Sequence, residues 1–139
     1  MNNLPKGQSY LCGQANEPLL YETIGACVER IAATYPDKEA LVVRHQNIRW
    51  TFSEYKSRID ALAAGLVSLG VEPGDRVGIW SPNRVEWCLT QFATAKIGAI
   101  MVCINPAYRN YELEYALNKV QCRTIITAES FKTSNYLQM

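Results

Sequence analysis

Residues Gly70–Pro106, GVEPGDRVGIWSPNRVEWCLTQFATAKIGAIMVCINP, contain the pattern that decides the fold of this chain. The Pro-Gly-Asp triplet at 73–75 is typical of a turn, and the apolar run Val77–Trp80 after it predicts a buried strand. A helical segment follows and ends at Gly98. The run Ala99–Ile104 is then apolar without alternation, as in a strand covered on both faces. Two strands joined by a helix in this way predict a parallel sheet with a right-handed crossover.

The helix inside this block has clear start signals. Ser81, Pro82 and Asn83 end the first strand and offer a capping oxygen, with proline near the first helical turn. We therefore expect this triplet to cap the helix. Apolar residues then recur at helical spacing and predict its buried face: Val85, Cys88, Leu89, Phe92 and Ile97.

Before this block, the chain starts with an extended leader that we expect to run through Pro18. Helical spacing then predicts a helix from about Thr23 to Thr34, ended by the Tyr-Pro-Asp triplet at 35–37. The predicted inner face of this helix consists of Ile24, Cys27, Val28 and Ile31.

A hairpin and a second helix are predicted next. The β-like runs Ala40–Arg44 and Ile48–Thr51 are separated by three polar residues, His45–Asn47, which suits an antiparallel hairpin. Thr51 and Glu54 have the spacing of a capping box, which predicts that a helix begins there. Its apolar positions are Tyr55, Ile59, Leu62, Leu66 and Leu69, and Gly70 ends it.

After Pro106 the pattern predicts another helix, a third parallel strand at Thr124–Thr127 and a final helix capped by Ser130. The apolar face of the first of these helices consists of Leu113, Ala116, Leu117 and Val120. The predicted fold class is therefore α/β: an amino-terminal β-hairpin and helices, followed by a βαβαβα parallel-sheet segment.

Charge and hydropathy exclude several classes of protein. The 139 residues contain 14 Lys and Arg against 13 Asp and Glu, without runs of either sign. The sequence therefore shows no basic patch that would bind a nucleic acid or an anionic membrane. Trp50, Trp80 and Trp87 lack interleaved basic residues and are expected to pack rather than to stack on bases. The longest apolar runs are far shorter than the ~20 residues of a membrane helix. The start, MNNLPKGQSY, has no signal-peptide core, which predicts a cytoplasmic protein.

The cysteines and the single histidine do not form a recognisable catalytic or metal site. The cysteines stand at 12, 27, 88, 103 and 122, an odd number without a C-x-x-C pair, which predicts free thiols. We expect Cys27, Cys88 and Cys103 on the apolar sides of their elements, where cysteine acts as a small hydrophobe. His45 lies in the predicted hairpin connection and is expected to be an exposed surface residue.

Polar residues follow two of the predicted parallel strands, at the sheet edge where ligands collect in open α/β folds. Ser81, Pro82 and Asn83 follow the first strand, and Asn105 with Pro106 follows the second. Either group could contact a ligand or satisfy the backbone of its turn, and we favour the structural role for both.

Four stretches of the chain resemble one enzyme family. They are ALVVRHQNIRWTFSEY (40–55), GVEPGDRVGIWSPNRVEW (70–87), QFATAKIGAIMVCINPAYR (91–109) and ELEYALNKVQC (112–122). In their order and spacing they resemble the early part of the adenylate-forming acyl-CoA synthetase superfamily, and within it the medium-chain fatty acyl-CoA ligases. The resemblance implies a complete enzyme that converts a fatty acid with ATP to an acyl-adenylate and then to a coenzyme A thioester, with Mg²⁺ bridging the phosphates.

The chain lacks the family's phosphate-binding sequence. It contains no G-x-x-x-x-G-K-[ST], no G-x-G-x-x-G after a strand and no Ser/Thr/Gly-rich run that ends in lysine. The resemblance therefore implies that residues 1–139 are the amino-terminal part of the adenylation domain, truncated before the phosphate-binding loop and inactive alone. No catalytic, cofactor-binding or metal-binding residue is assigned, and ATP, Mg²⁺ and coenzyme A are implied only for the complete enzyme.

Two other classes of function remain open. A βαβαβα unit can serve as an independent nucleotide-binding module, with its ligand at the strand ends near Ser81–Asn83 and Asn105. The chain could also be a non-catalytic interaction protein that uses an uncovered sheet edge or an apolar helix face. We also expect the fragment to expose apolar surface and to self-associate.

Overall fold

The computed structural model of the chain describes residues 19–139, so the predicted leader through Pro18 lies outside the described residues. In chain order the elements are α1 (Ile24–Thr34), β1 (Glu39–Val43), β2 (Ile48–Thr51), α2 (Phe52–Ser68), β3 (Arg76–Trp80), α3 (Val85–Ile97), β4 (Ile100–Ile104), α4 (Asn110–Val120), β5 (Cys122–Thr127), β6 (Ser130–Phe131) and β7 (Ser134–Asn135), with two short 3-10 helices at Arg44–Gln46 and Tyr136–Gln138.

The centre of the fold is a parallel sheet with the strand order β4-β3-β5. In register, Val77 of β3 lies beside Met101 of β4 and Thr124 of β5. Because β3 has a neighbour on each side, its residues Val77–Trp80 are all buried. The predicted α/β fold with a parallel sheet is confirmed.

The amino-terminal hairpin and the capping box are also confirmed. Strands β1 and β2 pair antiparallel, and the left-handed residue Asn47 (φ 53°) closes their connection. At the start of α2, the Thr51 hydroxyl accepts a bond from the Glu54 amide at 3.3 Å, and the Glu54 carboxylate accepts one from the Thr51 amide at 2.9 Å. Gly70, with φ +83°, ends the helix in a conformation that favours glycine.

The main core lies between the sheet and the pair α2 and α3. Its buried members are Tyr55, Ile59, Ala63, Leu66, Val71, Val77, Ala93 and Ala99. The predicted face of α2 is confirmed at three of its positions, while Leu62 is partly buried and Leu69 is exposed because it lies past the helix end. In α3, Thr90 and Thr94 are buried, and the predicted positions after Val85 are only partly buried.

The predicted inner face of α1 is confirmed in part. Cys27, Val28 and Ile31 are half-buried and border an apolar hollow against α2 and α3, while Ile24 is exposed and the fully buried residues are Gly25 and Ala32. Two further details of the prediction are wrong. Strand β4 is not covered on both faces, because Ile100, at 52% exposure, and Cys103 are exposed on it. Ser130 lies in β6 rather than at a helix cap; the chain instead forms the β6/β7 hairpin and a 3-10 helix that Asn135 caps.

Helix α4 packs Leu113 and Leu117 against the second core cluster, formed by Trp80, Ile104 and Tyr136, and polar contacts fix its carboxyl end. The Arg76 guanidinium donates to the carbonyl oxygens of Val120 at 2.8 Å and of Gln121 at 3.2 Å. None of the residues of α4 is fully buried. One side of the helix therefore remains available to further protein.

No helix within residues 19–139 combines the length and the hydropathy that a bilayer crossing requires.

Candidate functional site

The carboxyl ends of β3 and β5 meet at one edge of the sheet, the position where open α/β sheets bind ligands. A hollow of about 360 Å³ lies there. Its lining includes Ser81, Arg84, Glu86, Thr127, Glu129 and Ser130. We refer to it as the edge hollow.

Ser81 is buried in the wall of the edge hollow and serves the local backbone. Its hydroxyl donates to the carbonyl oxygen of Pro82 at 2.9 Å, and its own carbonyl accepts from the Trp87 indole N–H at 2.9 Å. The prediction that the Ser81–Asn83 triplet caps α3 is wrong, because the residue before the helix is Arg84, which makes no side-chain cap bond.

The cap of α3 comes from the hairpin instead. The Gln46 amide oxygen accepts from the Val85 backbone N–H at 2.7 Å, and the Gln46 amide nitrogen donates to the Glu86 carboxylate at 3.1 Å. One side chain thus satisfies an orphan helix donor and orients a carboxylate beside it. Sequence reasoning missed this role because Gln46 lies 39 residues before Val85, and capping patterns are local.

Replacing Gln46 with alanine is expected to destabilise the chain by about 1 kcal/mol, the usual effect of losing a helix cap. The amides of the first turn of α3 should also exchange faster with deuterium. The measurement is urea denaturation with hydrogen exchange read out by mass spectrometry. His45→Ala changes the exposed neighbour of Gln46 and is the control, so an equal effect of both variants would contradict the capping role.

Arg84 and Glu86, which both line the edge hollow, form an ion pair with 3.1 Å between Nε and Oε2. Partial burial opposes ionisation of Glu86, but hydrogen bonds from Arg84 and Gln46 outweigh it and hold the pKa of that carboxyl below its ordinary value. The hydrogen bond with Glu86 likewise raises the pKa of Arg84. Both charges are therefore already compensated within the chain.

The turn after β4 is tied to β3 and to the carboxyl-terminal hairpin. The Asn105 side-chain oxygen accepts from the Ala107 amide at 2.9 Å, and the Asn105 carbonyl accepts from the Trp80 indole N–H at 3.1 Å. The Tyr136 hydroxyl donates to the Pro106 carbonyl. The structure thus gives Asn105 a turn role, the one that we favoured from the sequence.

Trp80 and Tyr136 stack face to face beneath this turn. Their ring centroids are 3.7 Å apart with 15° between the planes, and both residues are buried. Burial raises the pKa of Tyr136, so its hydroxyl stays protonated and remains a hydrogen-bond donor at neutral pH. The pair fixes the turn at residues 105–106 relative to the end of β3.

The structure brings the two predicted strand-end groups together. A second hollow, of about 580 Å³, is lined by Pro82 and Asn83 from the first group, by Pro106 from the second, and by His45, Arg84 and Phe131. His45 is exposed there, as predicted. The site therefore consists of turns whose polar groups mostly bond to one another. It does not present a set of hydrogen-bond donors that point at one ligand position.

The titratable residues of the described part of the chain form no obvious metal centre. Within residues 19–139, no group of three or more His, Cys, Asp or Glu side chains is placed to hold a metal ion. Cys27, Cys88, Cys103 and Cys122 are free thiols, while Cys12 lies outside the described residues. The expectation for Cys103 is wrong, because it is exposed on the edge strand β4.

Comparison with known proteins agrees with this architecture. The profile of the family described as AMP-binding enzyme matches residues 28–138. The mouse protein named medium-chain acyl-CoA ligase ACSF2, mitochondrial, is 46% identical over 97% of this chain, and the human protein of the same name is 45% identical over 94%. The chain spans 22% and 21% of the length of these two curated relatives.

Solved structures of proteins with a similar fold also match this chain. The N-terminal domain of FACL13 from Mycobacterium tuberculosis is 30% identical, with a TM-score of 0.73 over 76% of this chain and 26% of that domain. The N-terminal subdomain of NpsA from Klebsiella oxytoca is 25% identical, with a TM-score of 0.71 over 79% of this chain and 28% of that subdomain. By its sequence profile and its fold, the chain belongs to the AMP-binding enzyme family.

Proposed function

We propose that this chain is the amino-terminal part of the adenylation domain of an ATP-dependent fatty acyl-CoA ligase. The observation that carries the proposal is the 46% identity to a protein named as a medium-chain acyl-CoA ligase, sustained over 97% of the chain. The domain assignment covers residues 1–139, with the phosphate-binding loop supplied by sequence outside them.

The proposed reaction has two steps. A fatty acid carboxylate attacks ATP to give an acyl-adenylate and pyrophosphate, and the thiol of coenzyme A then displaces AMP to give the thioester. Both steps require cationic and backbone donors that stabilise negative charge as it develops. ATP, Mg²⁺, coenzyme A and the fatty acid are therefore the proposed ligands of the complete enzyme.

The residues at the edge hollow do not by themselves fit ATP or Mg²⁺. The Arg84 guanidinium is paired with Glu86, and the Gln46 amide is used at the start of α3. Among the residues that line the hollow, Arg84 is the one cation, and it is already paired with Glu86 beside a second carboxylate, Glu129. This chain thus contributes part of the lining at the carboxyl ends of the parallel strands, and the proposal assigns no catalytic residue to it.

The isolated chain is expected to show no exchange of pyrophosphate into ATP with medium-chain fatty acids, because it lacks a phosphate-binding loop. The same assay on the product of the gene extended past Met139 should show exchange that depends on the fatty acid. Exchange by the isolated chain above a buffer blank, in protein free of host ligases, would contradict the fragment assignment. An extended product that folds but never forms acyl-adenylate would contradict the ligase assignment.

The remaining parts of the proposal concern location and partners. We propose the cytoplasm as the location, although the mouse relative's name includes the word mitochondrial; microscopy of the tagged gene product tests this.

A nucleic acid partner is not proposed, because the net charge is only +1. Self-association of the isolated chain is proposed from its exposed apolar residues on β4 and α4.

A further inference from the structure

Four charged side chains join the three helices on one side of the molecule. Glu29 comes from α1, Lys56 and Asp60 come from α2, and Lys96 comes from the last turn of α3. The Lys56 ammonium lies 3.2 Å from Glu29 and 2.5 Å from Asp60, and the Lys96 ammonium contacts both carboxylates. We call this set the charge cluster.

Glu29 is the member of the charge cluster that α1 contributes. Hydrogen bonds from Lys96 and Lys56 lower its pKa, so it is ionised at neutral pH. Removing its charge would detach α1 from the cluster but leave Lys56, Asp60 and Lys96 paired with one another. The attachment of α1 can therefore be tested without disturbing the contact between α2 and α3.

Helix α1 has few fully buried residues to hold it in place. It buries Gly25 and Ala32, and its first residue, Ile24, is 56% exposed. At Gly25 it approaches α3 so closely that an added Cβ atom would lie 3.3 Å from the Lys96 Cα atom. The two residues that α1 buries fully are both small, and its larger apolar residues Cys27, Val28 and Ile31 are only half-buried, with Val28 packed against the main core. The apolar area that α1 removes from water is therefore limited.

The rest of the contact surface of α1 is an open apolar hollow of about 270 Å³. Its lining includes Cys27, Val28 and Ile31 of α1 together with Phe52, Tyr55 and Phe92 of the other two helices. The Tyr55 hydroxyl donates to the Cys88 carbonyl at 3.0 Å and therefore does not bond to α1. Across this hollow, α1 lacks the close packing that normally stabilises a docked helix.

We infer that α1 is a separately opening unit, which the charge cluster holds against α2 and α3 and which detaches while the parallel sheet stays folded. An isolated helix of this length is marginal in water, so α1 depends on its docking contacts. The cluster side chains are 29–41% exposed, so salt screens them. Detachment uncovers Phe52 and Phe92. The behaviour is a property of the fold and is independent of the proposed function.

Hydrogen exchange of Glu29→Gln in the full chain tests the inference. We expect the amides of α1 to exchange about tenfold or more faster, while the amides of β3 are unchanged, as for a local opening. Glu22→Gln is the matched control, because Glu22 pairs with Arg30 of α1 and not with α2 or α3. This control should change α1 exchange by less than about twofold.

Salt provides a second test that needs no substitution. Raising NaCl from about 0.05 M to about 1 M should accelerate exchange in α1 of the unchanged chain and have little further effect on Glu29→Gln. Lys96→Arg keeps the charge and should keep α1 protected. Unchanged α1 exchange in Glu29→Gln and in high salt, or equal acceleration in α1 and β3, would overturn the inference.

Discussion

Replacing Trp80 with alanine is expected to lower the free energy of unfolding of the isolated chain by several kcal/mol. The side chain is 2% exposed at the end of the central strand, stacks on Tyr136 and donates to the Asn105 carbonyl. Truncating a buried tryptophan typically destabilises a protein by about 3–5 kcal/mol, which is a large part of a total stability of roughly 5–15 kcal/mol.

Trp80→Phe is the control for this experiment. Phenylalanine keeps a ring against Tyr136 but loses the N–H group that donates to Asn105, so its effect should be clearly smaller, about 1–2 kcal/mol. Urea denaturation followed by circular dichroism measures both variants. If Trp80→Ala and Trp80→Phe had equal midpoints, the stack with Tyr136 would contribute little and the prediction would be wrong.

The isolated chain is also expected to associate with itself and to bind a dye specific for apolar surface. Edge strand β4 presents unpaired backbone groups, and Ile100 on it is 52% exposed. A groove of about 470 Å³ runs between β4 and α4. On α4, Tyr111 and Tyr115 are 81% and 59% exposed. Contiguous apolar surface beside an open strand edge favours contact with a second chain.

Sedimentation across a concentration series, together with dye fluorescence, tests this expectation. Ile100→Lys places a charge on the open edge and should shift the chain towards monomer, because edge lysines oppose strand pairing. Val67→Lys is the matched control, since Val67 is similarly exposed, at 55%, but lies on α2. A monomer at all concentrations that binds no dye would refute the expectation and strengthen the case for an independent nucleotide-binding module.

Local patterns predicted those parts of the fold whose determinants lie close together in the chain. The Thr51/Glu54 capping box, the stop at Gly98 and the apolar run in β3 each act within a few residues, and the structure has all three. The order β4-β3-β5 was not predicted. Apolar runs mark strands, but they do not say which strand becomes central and which becomes an exposed edge.

The candidate site was predictable in position but not in detail. The position of the site could be predicted from the carboxyl ends of the parallel strands. The cap of α3 could not, because it comes from Gln46 in a distant hairpin. The inner face of α1 was predicted only in part for a related reason. Helical spacing identified Val28 and Ile31 as apolar, but it could not show that Gly25 makes the close approach and leaves them bordering a hollow.

The central position of β3 also has a consequence for synthesis on the ribosome. Its neighbours on both sides come later in the chain, and Thr127, which bonds to the Trp80 carbonyl, lies 47 residues after Trp80. At translation rates of about 5–20 residues per second, this interval lasts about 2–9 s. During that time the strand, whose residues Val77–Trp80 are all buried in the folded chain, has no completed sheet to join. The nascent chain is therefore most vulnerable to misassembly, and most in need of a chaperone, before β5 has emerged.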